Sequence, residues 1–195
     1  MKHFTIAAMI ALLALAGCVA PVGPVQVTRF HAPDVSPLGK GAIAVEPAPG
    51  IDPASLEWQT YGAAVARQLI LLGYTEAKPG SGGQVALVNL ARRTLQPAGS
   101  NPVSVGLGGS TGTYGSGLGL GIGINLSPKP SAEVATDLSV SIRDRTSGAT
   151  LWEGRATFVV SSKSPLATTS LGAPKMSEAL FAGFPGQSGE TIEVK

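Results

Sequence analysis

The residues of this chain that could do covalent or acid–base chemistry are few and scattered. Its 195 residues include one cysteine, Cys18, and two histidines, His3 and His31. A single cysteine excludes an internal disulfide and a cysteine-rich metal site. Zinc asks for three or four His, Cys or carboxylate ligands, and His31 stands alone. Gly108-Gly109-Ser110-Thr111-Gly112 matches the G-x-S-x-G spacing of a hydrolase nucleophile elbow. The elbow needs a strand before it, a helix after it and a histidine later in the chain. His31 lies far upstream instead, and sequence this rich in glycine produces such matches by chance. No glycine run ends in Gly-Lys-Ser/Thr and no G-x-G-x-x-G lies in frame, which sets phosphate binding aside. Among the carboxylates, Glu57, Glu133, Asp137, Asp144 and Glu153 fall on expected solvent faces or turns, the default place for such residues. Glu153 and Arg155 share one face of one strand and read as a solvated pair. The expectation is a chain with no catalytic set, no metal and no cofactor.

Cys18 is different, because its neighbours give the thiol a purpose. Lys2 and His3 open the chain with positive charge, and Phe4 to Ala16 form an apolar run broken only by Thr5. A spanning helix needs about 20 such residues, so a run this short has the dimensions of a secretory leader. Leu15-Ala16-Gly17-Cys18 follows, and it is similar to the lipobox of bacterial lipoproteins. That resemblance implies a diacylglycerol on the Cys18 thiol, cleavage between Gly17 and Cys18, and a further acyl chain such as palmitate on the new amino group. Small Ala16 and Gly17 suit a narrow protease site. Cleavage after Ala14-Leu15-Ala16 would be ordinary secretion, and would leave an unpaired thiol in an oxidising compartment. Val19 after the cysteine, by likeness to the sorting rule of such proteins, implies the outer membrane, facing the periplasm.

Charge excludes another partner. With 14 Lys+Arg against 12 Asp+Glu and no basic cluster, the chain lacks the footprint of a nucleic-acid binder. Charged residues are only 13% of the chain, whereas glycine (26) and proline (15) are abundant. Strands joined by turns suit that composition better than a helical bundle does.

The elements that would position a site follow from periodicity. Residues 1–17 read as the leader and 18–24, with Pro21 and Pro24, as a short stiff tether. A single domain then spans 25–186, and 187–195 read as a loose tail. Val25 to Phe30 alternates as a first strand, with Val25 and Val27 against Gln26 and Thr28, and Ala42 to Glu46 reads as a second. A helix is expected from about Pro53 to Leu72, with Asp52 as N-cap, Gly73 as terminator and a stripe of Trp58, Tyr61, Val65, Leu69 and Leu72. Gln84 to Leu95 is apolar on both alternations at its start and reads as a central strand. Val134, Thr136, Leu138, Val140 and Ile142 line one face of the next, and Asp137, Ser139, Ser141 and Arg143 the other. The turn Asp144-Arg145-Thr146-Ser147-Gly148 returns the chain with Trp152, Ala156, Phe158 and Val160 inward. A second helix is expected from about Pro174 to Gly183. The fold expectation is α+β: two helices packed on one side of a mostly antiparallel sheet of about five strands, with a glycine-rich insertion.

That insertion, residues 99–125, contains Gly117-Leu118-Gly119-Leu120-Gly121-Ile122-Gly123-Ile124, which as a strand shows Leu and Ile on one face and bare backbone on the other. It can be a loose hairpin, because glycine loses most freedom on ordering. It can also be a strand that a backbone or ligand approaches closely, or an edge that self-associates or touches a membrane.

One set of motifs resembles a known family. Gly73-Tyr74 follows the amphipathic helix, then come Asp137-Leu138-Ser139-Val140-Ser141-Ile142, Arg143-Asp144, Ser147-Gly148, Leu151-Trp152-Glu153-Gly154 and the closing Phe184-Pro185. With the lipobox, these resemble the bacterial lipoprotein family called domain of unknown function 4136, over roughly Val25 to Gly186. Ala91-Arg92-Arg93 departs from the tyrosine-rich strand of that pattern. The resemblance implies an envelope location and an α+β fold, and it carries no catalytic residues. The functional expectation is a membrane-anchored envelope lipoprotein with a non-catalytic domain that binds another envelope component or supports envelope assembly. The alternative is a small-ligand-binding protein or enzyme with a site near the glycine-rich segment.

Overall fold

The computed structural model describes residues 22–96, 103–110, 117–124 and 131–195. Cys18, the Gly17–Cys18 cleavage point and the leader lie outside the described residues. Nine strands and two α-helices follow in chain order among those described. They are β1 (Val25–His31), β2 (Ala42–Pro47), α1 (Leu56–Leu71), β3 (Thr75–Ala77), β4 (Gln84–Leu95), β5 (Val103–Ser110), β6 (Gly117–Ile124), β7 (Glu133–Asp144), β8 (Thr150–Ser161), α2 (Thr169–Phe181) and β9 (Thr191–Val194).

Seven strands make one sheet in the order β3-β2-β4-β7-β8-β1-β9. This corrects the expected sheet of about five mostly antiparallel strands. β2 pairs in parallel with both β3 and β4, so the sheet is mixed, and β3 and β9 are additional strands. Both escape periodicity for the same reason: strands of three and four residues are too short to display an alternation. β9 occupies the stretch expected as a loose tail and pairs antiparallel with β1, Val25 facing Val194. The parallel pairing follows from α1, which crosses between β2 and β3.

The helices also begin elsewhere than expected, and at α1 capping explains the shift. Asp52 Oδ1 accepts from the Ala54 N–H at 2.9 Å, forming a turn ahead of the helix, and Ser55 caps α1 by accepting from Trp58 N at 3.3 Å. α2 starts at Thr169, after a 3-10 turn over Pro165–Ala167, with Pro174 inside it. A proline in the second turn forfeits one backbone bond and still tolerates a helix held by packing. The expected stripe of α1 does face the core: Tyr61, Val65 and Leu69 are buried, and Trp58 and Leu72 pack against them half-buried.

Both helices cover one face of the sheet, where Val88, Leu138, Val140, Ile142, Trp152, Ala156 and Phe158 meet Met176, Leu180 and Phe181. At Gly172 a Cβ would stand 2.9 Å from the Leu166 carbonyl oxygen and 3.3 Å from the Tyr61 hydroxyl, so the glycine lets α2 sit close to both the preceding 3-10 turn and α1. Arg92 ties the open end of this layer: it donates to Glu57, to Thr169 Oγ1 at 3.0 Å and to Thr136 Oγ1 at 3.3 Å. It thereby joins β4 to both helix starts.

The β7–β8 turn is closed by Asp144, whose Oδ1 accepts from both the N–H and the hydroxyl of Ser147 at 2.7 Å, with Gly148 at φ 72°. Arg145 pins the turn to β2 through Glu46 at 2.7 Å. The Ser147 N–H and hydroxyl hold Asp144 below the ordinary carboxylate range. Burial pushes Glu46 up, but the Gly80 N–H and Arg145 outweigh it and leave it lowered. A lowered carboxylate adds stability above its unfolded value of about 4 and loses it as pH falls through the folded value. Asp144→Asn is therefore expected to be less stable than wild type near about pH 6, and to converge with it near about pH 2. Urea midpoints across that range check this.

Candidate functional site

The face of the sheet opposite the helices carries the polar residues that alternation assigned to it. Register aligns them in rows across the strands. Asn89, Ser139, Arg155, Thr28 and Thr191 form one, and Ala91, Asp137, Thr157, Gln26 and Glu193 the next. In the middle of this face Asn89, Asp137, Ser139, Glu153, Arg155 and Thr157 line an open-sided depression of about 370 Å³. Smaller depressions of about 270 and 260 Å³ lie beside α1 against β3, and around Phe30 and His31.

The charged groups in the central depression are already engaged. Asp137 accepts from Arg93 at 2.7 Å and from Thr157 Oγ1 at 2.9 Å, and Glu153 accepts from Arg155 at 2.7 Å. The Glu153–Arg155 side chains are 33% and 67% exposed, so the pair is solvated and is worth at most about 1 kcal/mol. Asp137 and Glu153 each hold a cation, and Ser139 and Thr157 have no histidine or lysine positioned to activate them among the hydrogen bonds of the described residues. What this face can do is present hydroxyls, an amide and paired charges to a flat polar partner. Phe30, 49% exposed at its margin, adds an apolar contact.

The other residues named from sequence lie apart. His31 ends β1, with Nδ1 2.7 Å from the Ala32 carbonyl. No group of three His, Cys, Asp or Glu side chains that could hold a metal occurs among the described residues. Gly108, Gly109 and Ser110 end β5, Thr111 and Gly112 lie outside the described residues, and the next described element is strand β6 rather than the helix an elbow requires. Glu57 pairs with Arg92 and Asp144 closes its turn, so both serve the fold.

The glycine-rich insertion forms a two-stranded antiparallel sheet of its own, β5 with β6. Its register sets Val103, Val105 and Leu107 against Ile124, Ile122 and Leu120, and Gly106 and Gly108 against Gly121 and Gly119. The insertion leaves β4 and re-enters β7 where Leu95 faces Glu133, so β4 and β7 are a hairpin with the glycine-rich strands in its connection.

Two residues that matter were missed from sequence. Arg92 has no local signal, because its partners come from both helices. Arg29 had one: the alternation of Val25 and Val27 continues to position 29 and puts a guanidinium inside, where it is 3% exposed.

Comparison with known proteins adds likeness without assignment. No family model matches the chain. An uncharacterized protein of Zymomonas mobilis, ZMO1243, is 28% identical over 215 residues, spanning 88% of this chain and 80% of that protein. Among solved structures, a PDZ domain protein from Parabacteroides distasonis superposes with a TM-score of 0.49 at 13% identity over 96% of this chain. The match takes in 42% of that protein, so this chain spans less than half of its length. The PelC dodecamer from Paraburkholderia phytofirmans gives 0.42 at 14% identity, over 80% of this chain and 96% of that one.

Proposed function

We propose that the chain is a cell-envelope lipoprotein, held to the membrane by lipid on Cys18, whose non-catalytic domain binds another envelope component through the open face of its sheet. The observation that carries this reading is Leu15-Ala16-Gly17-Cys18 placed directly after an apolar run too short to span a bilayer. No helix among the described residues is long and apolar enough to cross a membrane. The short apolar run and the Cys18 thiol after it support an anchor of acyl chains, and Val19, by likeness to the sorting rule of bacterial lipoproteins, supports the outer membrane, facing the periplasm. With residues 19–24 as tether, at about 3.1 Å per residue, the domain stays within roughly 20 Å of the lipid. Open-face residues such as Ser139 and Arg155 then meet neighbours at the membrane surface. The partner is a polar, hydrogen-bonding surface, protein or polymer, because the face offers hydroxyls and paired charges rather than an apolar groove.

Photo-crosslinking in living cells tests this. A photoreactive residue at Asn89 or Arg155, both exposed on the open face, is expected to give a discrete adduct. The same residue at Arg67, exposed on α1, is expected to give none. Adducts from Arg67 alone would move the binding surface to the helices, and adducts from none would remove the binding role.

A further inference from the structure

Arg29 is a buried guanidinium with two of its donor nitrogens left without a partner among the described residues. Its side chain lies on the core face of β1, opposite Gly154 of β8, under the loop that joins α2 to β9. That loop is stitched over it: the Arg29 N–H donates to Glu190 O at 3.2 Å, and the Gly189 N–H donates to Arg29 O at 2.7 Å. Gly186, at φ 78°, forms the roof, since a Cβ there would come within 2.6 Å of Nη1. Both Nε and Nη2 are buried and have no hydrogen-bond partner among the described residues. Those two donors share one edge of the guanidinium. They are the parallel pair that binds a carboxylate or phosphate bidentately.

An unpaired buried charge is expensive, and an unsatisfied donor in a native interior calls for a partner. The acid whose charge bears on Arg29 is Glu190, but no ion pair joins them among the described residues. The apolar alternative was open to this position, because Val25 and Val27 fill the same face with hydrophobic side chains. We propose that the Nε–Nη2 edge of Arg29 is a binding site for an oxyanion, a carboxylate or phosphate group, admitted beneath the Gly183–Gly189 loop. This site is on the opposite face of the sheet from the polar depression, and it stands or falls independently of the partner proposed there.

Thermal unfolding of the full-length chain in detergent tests the site, with sodium phosphate, sodium acetate and sodium chloride compared at equal ionic strength and pH. Wild type is expected to gain about 3 °C in phosphate or acetate over chloride once the anion is well above its dissociation constant. Arg29→Met is expected to show no difference among the three salts. Arg29→Lys keeps the charge without the fork, so it is expected to lose most of the gain and guards against a Met variant that fails to fold. A larger gain in phosphate identifies a phosphorylated ligand and a larger gain in acetate a carboxylate, and either supports the site. An equal gain in Arg29→Lys, or none in wild type, overturns it. A gain seen only in Glu190→Gln also overturns it, because Glu190 itself would then be the occupant of the fork.

Discussion

Replacing Gly154 by alanine is expected to cost about 3 kcal/mol of stability and to lower the melting temperature by roughly 10 °C. The reason is the Trp152 side chain, two residues earlier on the same face of β8. An added Cβ at position 154 would stand 2.2 Å from Trp152 Cη2, 2.8 Å from Cζ2 and 2.9 Å from Leu180 Cδ1. The indole cannot retreat. It is fully buried, stacks on Phe181 with centroids 5.2 Å apart, meets Phe184 at 5.2 Å, and donates from Nε1 to the Pro185 carbonyl at 3.0 Å. Overpacking a site this dense forces side chains off their rotamers or moves the backbone. A double-mutant cycle isolates the contact, because Trp152→Phe deletes the colliding ring atoms. In that background the alanine is expected to cost only about 1 kcal/mol. Urea denaturation of the four proteins measures it, and strict additivity would show that the glycine serves some other purpose.

The Trp-x-Gly pair shows how far the sequence could be read. Trp152 was legible as a core residue from alternation, whereas Gly154 stood out as part of the hairpin motif. What approaches Gly154 is the tryptophan's own ring together with Leu180 of α2. A side chain leaning along its own strand is a rotamer choice that three-dimensional neighbours decide. The same division runs through the fold. β4, β7, β8 and the stripe on α1 announce themselves, because each is long enough to repeat its period. β3 and β9 do not, since their pairing is imposed by the strands beside them. The start of α1 was misplaced by three residues because Asp52-Pro53 is as good a cap on paper as Ser55, and only the bond from Trp58 N decides between them.

The candidate site was legible as a face and illegible as a set of contacts. Alternation placed Asp137, Ser139, Ser141 and Arg143 outward before any strand order was known. That Asn89 and Arg155 flank Ser139 depends on register across three strands, which local sequence does not encode. Arg29 was hidden in plain pattern. Its parity is that of Val25 and Val27, but a charged residue at the end of a short alternation is more naturally read as the strand's exit to solvent.

The second large effect concerns attachment. On the proposed lipidation, two or three acyl chains on Cys18 would contribute about 0.8 kcal/mol for each buried CH₂ and hold the protein essentially permanently, whereas a single chain binds only marginally. Cys18→Ala removes the thiol that would accept diacylglycerol under this proposal and with it the substrate of the cleaving peptidase. The whole membrane-bound population is therefore expected to be lost or to remain as uncleaved precursor. The described helices, α1 at 16 residues and α2 at 13, are both short of a span. The most direct measurement is the intact mass of the native protein, with fractionation beside the Cys18→Ala variant. A wild type that begins at Cys18, carries acyl mass and sediments with the outer membrane, while the variant does not, is the predicted result. A wild type that is unacylated and free in the periplasm contradicts the account.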